Sequence, residues 1–138
     1  MNITSGKLKS LEAVSNAEGI ISAAAMDQRG SLQKSIATLK GVNPKDLPRE
    51  DMEAFKIEVT QILTKHASAI LLDPEFGLPA AKKRAPGAGL LLAYEVTGYD
   101  NAVPGRMPEL LPNVTVKNLK EWDADCVKLL LYYTPFED

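Results

Sequence analysis

At 138 residues, with 45% hydrophobic and 25% charged side chains, the chain is long enough for one domain with a real core and has the composition of an ordinary globular protein. A net charge of −2 supplies no general pull toward nucleic acid or an anionic membrane, and a single cysteine, Cys126, excludes an internal disulfide. The apolar runs are far too short to cross a bilayer and the first residues are amphipathic rather than signal-like, which together predict a cytoplasmic protein with no nucleic-acid or membrane partner.

The elements follow in chain order. Leu8, Leu11 and Val14 recur at helical spacing behind Ser5, placed as an opening cap, and predict a helix near 5–17. Gly19 leads into IISAAAMD, a short buried strand. After Gly30, Leu32, Ile36 and Leu39 predict a second helix. Asn43-Pro44 marks a turn, and Pro48 suits the start of a helix whose buried face reads Met52, Phe55, Val59, Ile62, Leu63 and His66. SAILLDPEFG is a second strand ending on an acid. AAKKRAPG predicts a short helix stopped by Pro86-Gly87. GLLLAYE is a third strand, again ending on an acid. The loop VTGYDNAVPGRMPELLPN follows. Thr115 is placed to cap a helix with Val116, Leu119 and Trp122, and CVKLLLYY reads as a fourth strand with Cys126 as a buried thiol. Continuous apolar strands joined by helices predict an α/β domain over 1–138, with a parallel sheet covered on both faces and its strands side by side in order.

Alternate residues of a strand face the same way. Ala23, Ala25 and Asp27 therefore share a face, as do Ala69, Leu71 and Asp73; Leu91, Ala93 and Glu95; and Lys128, Leu130 and Tyr132. If these faces point inward, Asp27, Asp73 and Glu95 gather with Lys128 at the C-terminal ends of the strands, the face of a β/α barrel that carries chemistry. Strand stagger must then bring Lys128 level with the acids. Each residue also has a plainer reading. Asp27 could cap the helix beginning near Ser31, Gln28 and Arg29 could be solvated, and Asp73 and Glu95 could merely close their strands. Arg29 also suits a phosphate or carboxylate clamp. Lys128, if buried, needs an anionic partner, or acts as a substrate contact or Schiff-base amine. Lys82-Lys83-Arg84 reads as a solvated helix end. His66 is the only histidine and a core-edge residue, which argues against zinc. Asp27, Asp73 and Glu95 as ligands of Mg²⁺ form a weaker third reading.

MDQRGSL, ILLDPEFGLPA, GLLLAYEVTGYD and VKLLLYY, in order from about Ile21 to Tyr133, resemble the class I tagatose 1,6-bisphosphate aldolases. The resemblance implies a (β/α)8 TIM barrel, of which this chain covers the first four β/α units behind an N-terminal capping helix. It implies metal-free and cofactor-free cleavage of a small-molecule sugar phosphate, D-tagatose 1,6-bisphosphate, to dihydroxyacetone phosphate and glyceraldehyde 3-phosphate through a lysine imine. Asp27 and Gln28 match the family's first-strand active-site pair. Lys128 matches a strand-four lysine that contacts substrate or orients the base. Asp73 and Glu95 fall within family-like motifs with less defined roles. Glu121-Trp122-Asp123 departs from the smaller residues such aldolases carry there. The family's chain is also more than twice as long, with its imine-forming lysine and main acid/base glutamate on later strands. The expectation is therefore a truncated, inactive half with two open sheet edges that favour homo-oligomers. The alternative is a non-catalytic half-barrel that associates with itself or with a complementary half.

Overall fold

The structure is a computed structural model that describes residues 3–96 and 108–130. Most of the loop after Glu95, and Tyr132 and Tyr133 of the predicted fourth strand, lie outside the described residues.

Four strands form one sheet in the order β1-β2-β3-β4, every neighbouring pair parallel. They are β1 (Ala23–Met26), β2 (Ala69–Leu72), β3 (Gly89–Ala93) and β4 (Cys126–Lys128). Helix α1 (Ser5–Val14) precedes the sheet. Helices α2 (Gly30–Lys40) and α3 (Arg49–Leu63), with a 3₁₀ turn at Pro44–Asp46 between them, connect β1 to β2. α4 (Leu78–Ala81) connects β2 to β3, and α5 (Val116–Glu121) precedes β4. Parallel neighbours require such crossovers, because a tight turn can only reverse the chain.

The two faces of the sheet differ. Ile70, Leu72, Leu90 and Leu92 point outward and are fully buried against Ala80 and Ala81 of α4 and Leu119 of α5, with Ala24, Met26 and Ile57 packed around them. The alternate residues point inward, where Leu71 and Leu91 are half-buried and Ala23 and Ala25 exposed. The expectation of cover on both faces is corrected here: α3, α4 and α5 lie against the outer face, and among the described residues the inner face has α1 over one end only.

That end is built from small residues. Ala23, Ala69 and Gly89 stand in register across three strands. A Cβ on Gly89 would lie 2.4 Å from the Ala13 carbonyl oxygen and 2.8 Å from the Val14 Cα, so only glycine lets α1 approach β3. The Ser68 hydroxyl donates to the Val14 carbonyl at 2.7 Å and accepts from the Ser22 N–H at 2.8 Å, pinning α1 to the starts of β1 and β2.

Several local expectations are corrected. α1 is capped by Thr4, whose hydroxyl accepts the Lys7 N–H, and Ser5 is its first residue. α4 ends at Ala81, well before Pro86-Gly87. Lys82, its C-cap, and Lys83 are exposed as a solvated helix end should be, but Arg84 departs from that reading and ties the following turn by donating to the carbonyls of Ala81 and Ala88. Leu39 is 87% exposed, and the buried residue of α2 is Ala37. On α3 the buried row is Met52, Lys56 and Thr60; Phe55, Ile62, Leu63 and the following His66 are exposed. The apolar spacing pointed about one residue away from the face that packs, a rotation of roughly 100° on a helix. Cys126 is only half-buried, because β4 turns it to the inner face. Thr115 does cap α5, in a reciprocal capping box with Asn118, and Trp122 closes that helix.

Candidate active site

The stagger that Lys128 requires is present. β4 starts opposite the middle of β3, with Cys126 beside Leu91, so Lys128 stands beside Ala93. Met26 pairs with Leu72 and Leu72 with Leu92. Continuing one residue, Asp27, Asp73, Ala93 and Lys128 form one inward row at the C-terminal ends of the strands. Glu95 lies one step further along the same side of β3. A short antiparallel bridge to Leu110 holds it there: the Val96 N–H donates to the Glu109 carbonyl at 2.7 Å and the Leu111 N–H to the Tyr94 carbonyl at 2.8 Å.

Lys128 bridges two acids. Its ammonium donates to Asp27 Oδ2 at 3.0 Å and to Glu95 Oε1. The lysine side chain is 29% exposed and that of Glu95 is 1% exposed, so the group opens to solvent on the lysine side. Burial alone would lower the lysine pKa. The hydrogen bonds to Glu95 and Asp27, with the two negative charges, outweigh that effect and hold the pKa above its ordinary value. The pairing thus favours the charged form of Lys128.

Arg29 is buried beside this group. One of its terminal nitrogens donates to the Glu95 backbone carbonyl at 2.8 Å, tying the end of β1 to the end of β3. Among the described residues, Arg29 Nε and Glu95 Oε2 are buried without a partner. Asp27 does not cap α2, whose N-cap is Arg29 without a side-chain hydrogen bond. Gln28 is exposed.

Asp73 departs from the expected group. It shares the row, but β2 ends at Leu72 and its side chain turns away from Lys128. Oδ1 accepts the Phe76 N–H at 2.7 Å, and Oδ2 pairs with Lys56 of α3, both side chains fully shielded from solvent. The Asp73 backbone carbonyl accepts the Gly77 N–H at 3.0 Å. A Cβ on Gly77 would lie 2.5 Å from that carbonyl oxygen, so glycine is needed to fold this turn onto the strand. Lys128 meets Asp27 and Glu95, and Lys56 meets Asp73, so each of the three acids already has an ammonium partner and the three do not converge on one point. Among the described residues no three His, Cys, Asp or Glu side chains are grouped to hold a metal ion. Cys126, on the same inner face, has its thiol pKa raised by burial and then by the charge of Asp125, which makes it a poor nucleophile.

Lys56 was not legible from spacing alone, since a lysine within a helix reads as solvent-facing. One signal was available: it sits four residues from Met52 and four from Thr60, on the row that packs.

Residues 21–138 match the model of the DeoC/LacD family aldolases. The chain is 54% identical over its whole length to tagatose 1,6-diphosphate aldolase 2 of Enterococcus faecalis V583, covering 40% of that protein. It is 48% identical over 137 residues to a tagatose 1,6-diphosphate aldolase of Listeria monocytogenes serotype 4a, and 50% identical over 127 residues to one of Staphylococcus epidermidis RP62A, covering 39% and 38% of their lengths. It thus spans about two fifths of the length of the curated relatives it matches. Four parallel strands in sequential order, joined by helical crossovers, are consistent with consecutive β/α units of a (β/α)8 barrel. The chain belongs to the DeoC/LacD family of aldolases.

Proposed function

We propose that residues 1–138 are the N-terminal half of a class I aldolase barrel that cleaves D-tagatose 1,6-bisphosphate to dihydroxyacetone phosphate and glyceraldehyde 3-phosphate. The single observation carrying this reading is Lys128 held between Asp27 and Glu95 at the C-terminal ends of the strands. The names of the relatives supply the substrate class. In a metal-free aldolase a lysine amine forms an imine with the substrate carbonyl, and the protonated imine accepts the electron pair of the breaking C–C bond. That amine must be unprotonated to attack. Lys128, paired with two carboxylates, is suited instead to binding substrate oxygens and orienting the acid/base group. The imine-forming lysine then belongs to the part of the barrel beyond this chain. Asp27 and Gln28 line the mouth, Arg29 and Glu95 brace it, and Asp73 supports it from behind. The setting is cytoplasmic sugar catabolism.

Borohydride trapping with dihydroxyacetone phosphate tests this reading. The chain alone should give no adduct. Co-expressed with the remaining portion of the Enterococcus relative, it should give one adduct, on the complementary half. An adduct on Lys128 would overturn the role assigned to it.

A second reading, a non-catalytic half-barrel that pairs with itself, is favoured by the outer edges of β1 and β4, which have no strand beside them among the described residues, and by Ile20, Ile21 and Val127 exposed next to them. Sedimentation of the chain alone as a dimer, with no trapping after complementation, would select it.

A further inference from the structure

Lys56 is the largest fully buried side chain among the described residues. An ammonium has three donors and no acceptor. Here all three are used: on the Met26 carbonyl at 2.6 Å, on the Gln28 carbonyl at 2.8 Å, and on Asp73 Oδ2. The residue has no free donor and no exposed atom with which to meet a substrate. Its partners are informative instead. Met26 and Gln28 flank Asp27, and Asp73 directly follows the neighbouring strand β2. One ammonium on α3 thereby holds the backbone on both sides of the aspartate that receives Lys128.

Burying an ammonium is costly unless its partners are complete. A hydrophobic residue at this row, like Met52 one turn earlier, would pack without that cost but would leave the strand ends untied. We propose that Lys56 is a positioning residue for the Asp27–Lys128–Glu95 group, clamping the carbonyls on either side of Asp27 and the carboxylate of Asp73 so that the Asp27 carboxylate stands where it meets Lys128. Its catalytic consequence rests on the function proposed above; the clamp itself does not.

The test is the titration of Lys128 in this chain, followed by NMR with lysine labelled at the ε-carbon. Lys56→Met combined with Asp73→Asn removes both buried charges together and keeps the acceptor for the Phe76 N–H. If Lys56 positions Asp27, the Lys128 pKa falls in this variant by about half a pH unit or more, roughly a threefold loss of proton affinity. Thr60→Val, on the same helix row, leaves it unchanged. Lys56→Arg is the second variant: it conserves the charge, but its planar fork cannot place three donors on the same three oxygens, so the pKa falls there as well. A Lys128 titration indistinguishable from the parent in either folded variant overturns the proposal, and reduces Lys56 to a stabiliser of the fold. No substrate enters this measurement, so its outcome is separable from that of the trapping experiment.

Discussion

Lys128 and Asp27 lie 101 residues apart in the chain and 3.0 Å apart in space. Only the sheet joins them: two intervening strands set the lateral separation, and the register of β4 sets the height. The pair, with Glu95, ties the first strand of the sheet to the last across its inner face.

The pairing makes stability depend on alkaline pH. The Lys128 pKa in the folded chain is raised above its ordinary value of 10.5. Its stabilising contribution is therefore complete below that value and is lost as pH rises through the folded-state pKa. Lys128→Met leaves the buried Glu95 carboxylate without its donor and should cost about 1–3 kcal/mol at pH 7. Urea denaturation should show the gap between parent and variant closing above pH ~10.5.

Both acids hold the lysine in its charged form, each by a hydrogen bond and by its negative charge. Glu95→Gln and Asp27→Asn keep an oxygen acceptor and remove the charge, so each should lower the Lys128 pKa, read by the same labelled-lysine titration. A Lys128 titration unchanged in either variant would mean that acid does not meet the ammonium in solution.

Two glycines of similar appearance should behave oppositely. Gly89→Ala puts a methyl group into the backbone of α1 and should destabilise by about 1–3 kcal/mol, as overpacking does. Gly6→Ala, on the open side of α1 with nothing within 4 Å, should stabilise by up to about 1 kcal/mol through helix propensity. Denaturant midpoints of both variants check this.

Thr60 is fully buried on α3, and its hydroxyl has no partner among the described residues. Thr60→Val keeps the shape and removes the unpaired group. It should be neutral or stabilising, by up to about 1 kcal/mol in thermal or urea unfolding. A loss of more than that would mean the hydroxyl has a partner in solution.

The segments AAAM, AILL and GLLLA, and the acids that follow them, were readable without coordinates. A buried parallel strand needs a short unbroken run of small or branched apolar residues, and that is a local property. The order of the strands followed too, because successive crossovers turn the same way. The burial of Lys56, the turning of Asp73 away from Lys128 and the exposure of Leu39 were not readable. Each depends on which degree of rotation a helix adopts when it packs, and on partners tens of residues distant. A one-residue error in that rotation moves a side chain about 100° around the helix, from solvent to sheet. Composition and periodicity thus identify the strands and the acids at their ends, whereas which ammonium neutralises which acid is settled by sheet register and helix rotation, properties that exist only once distant segments are packed together.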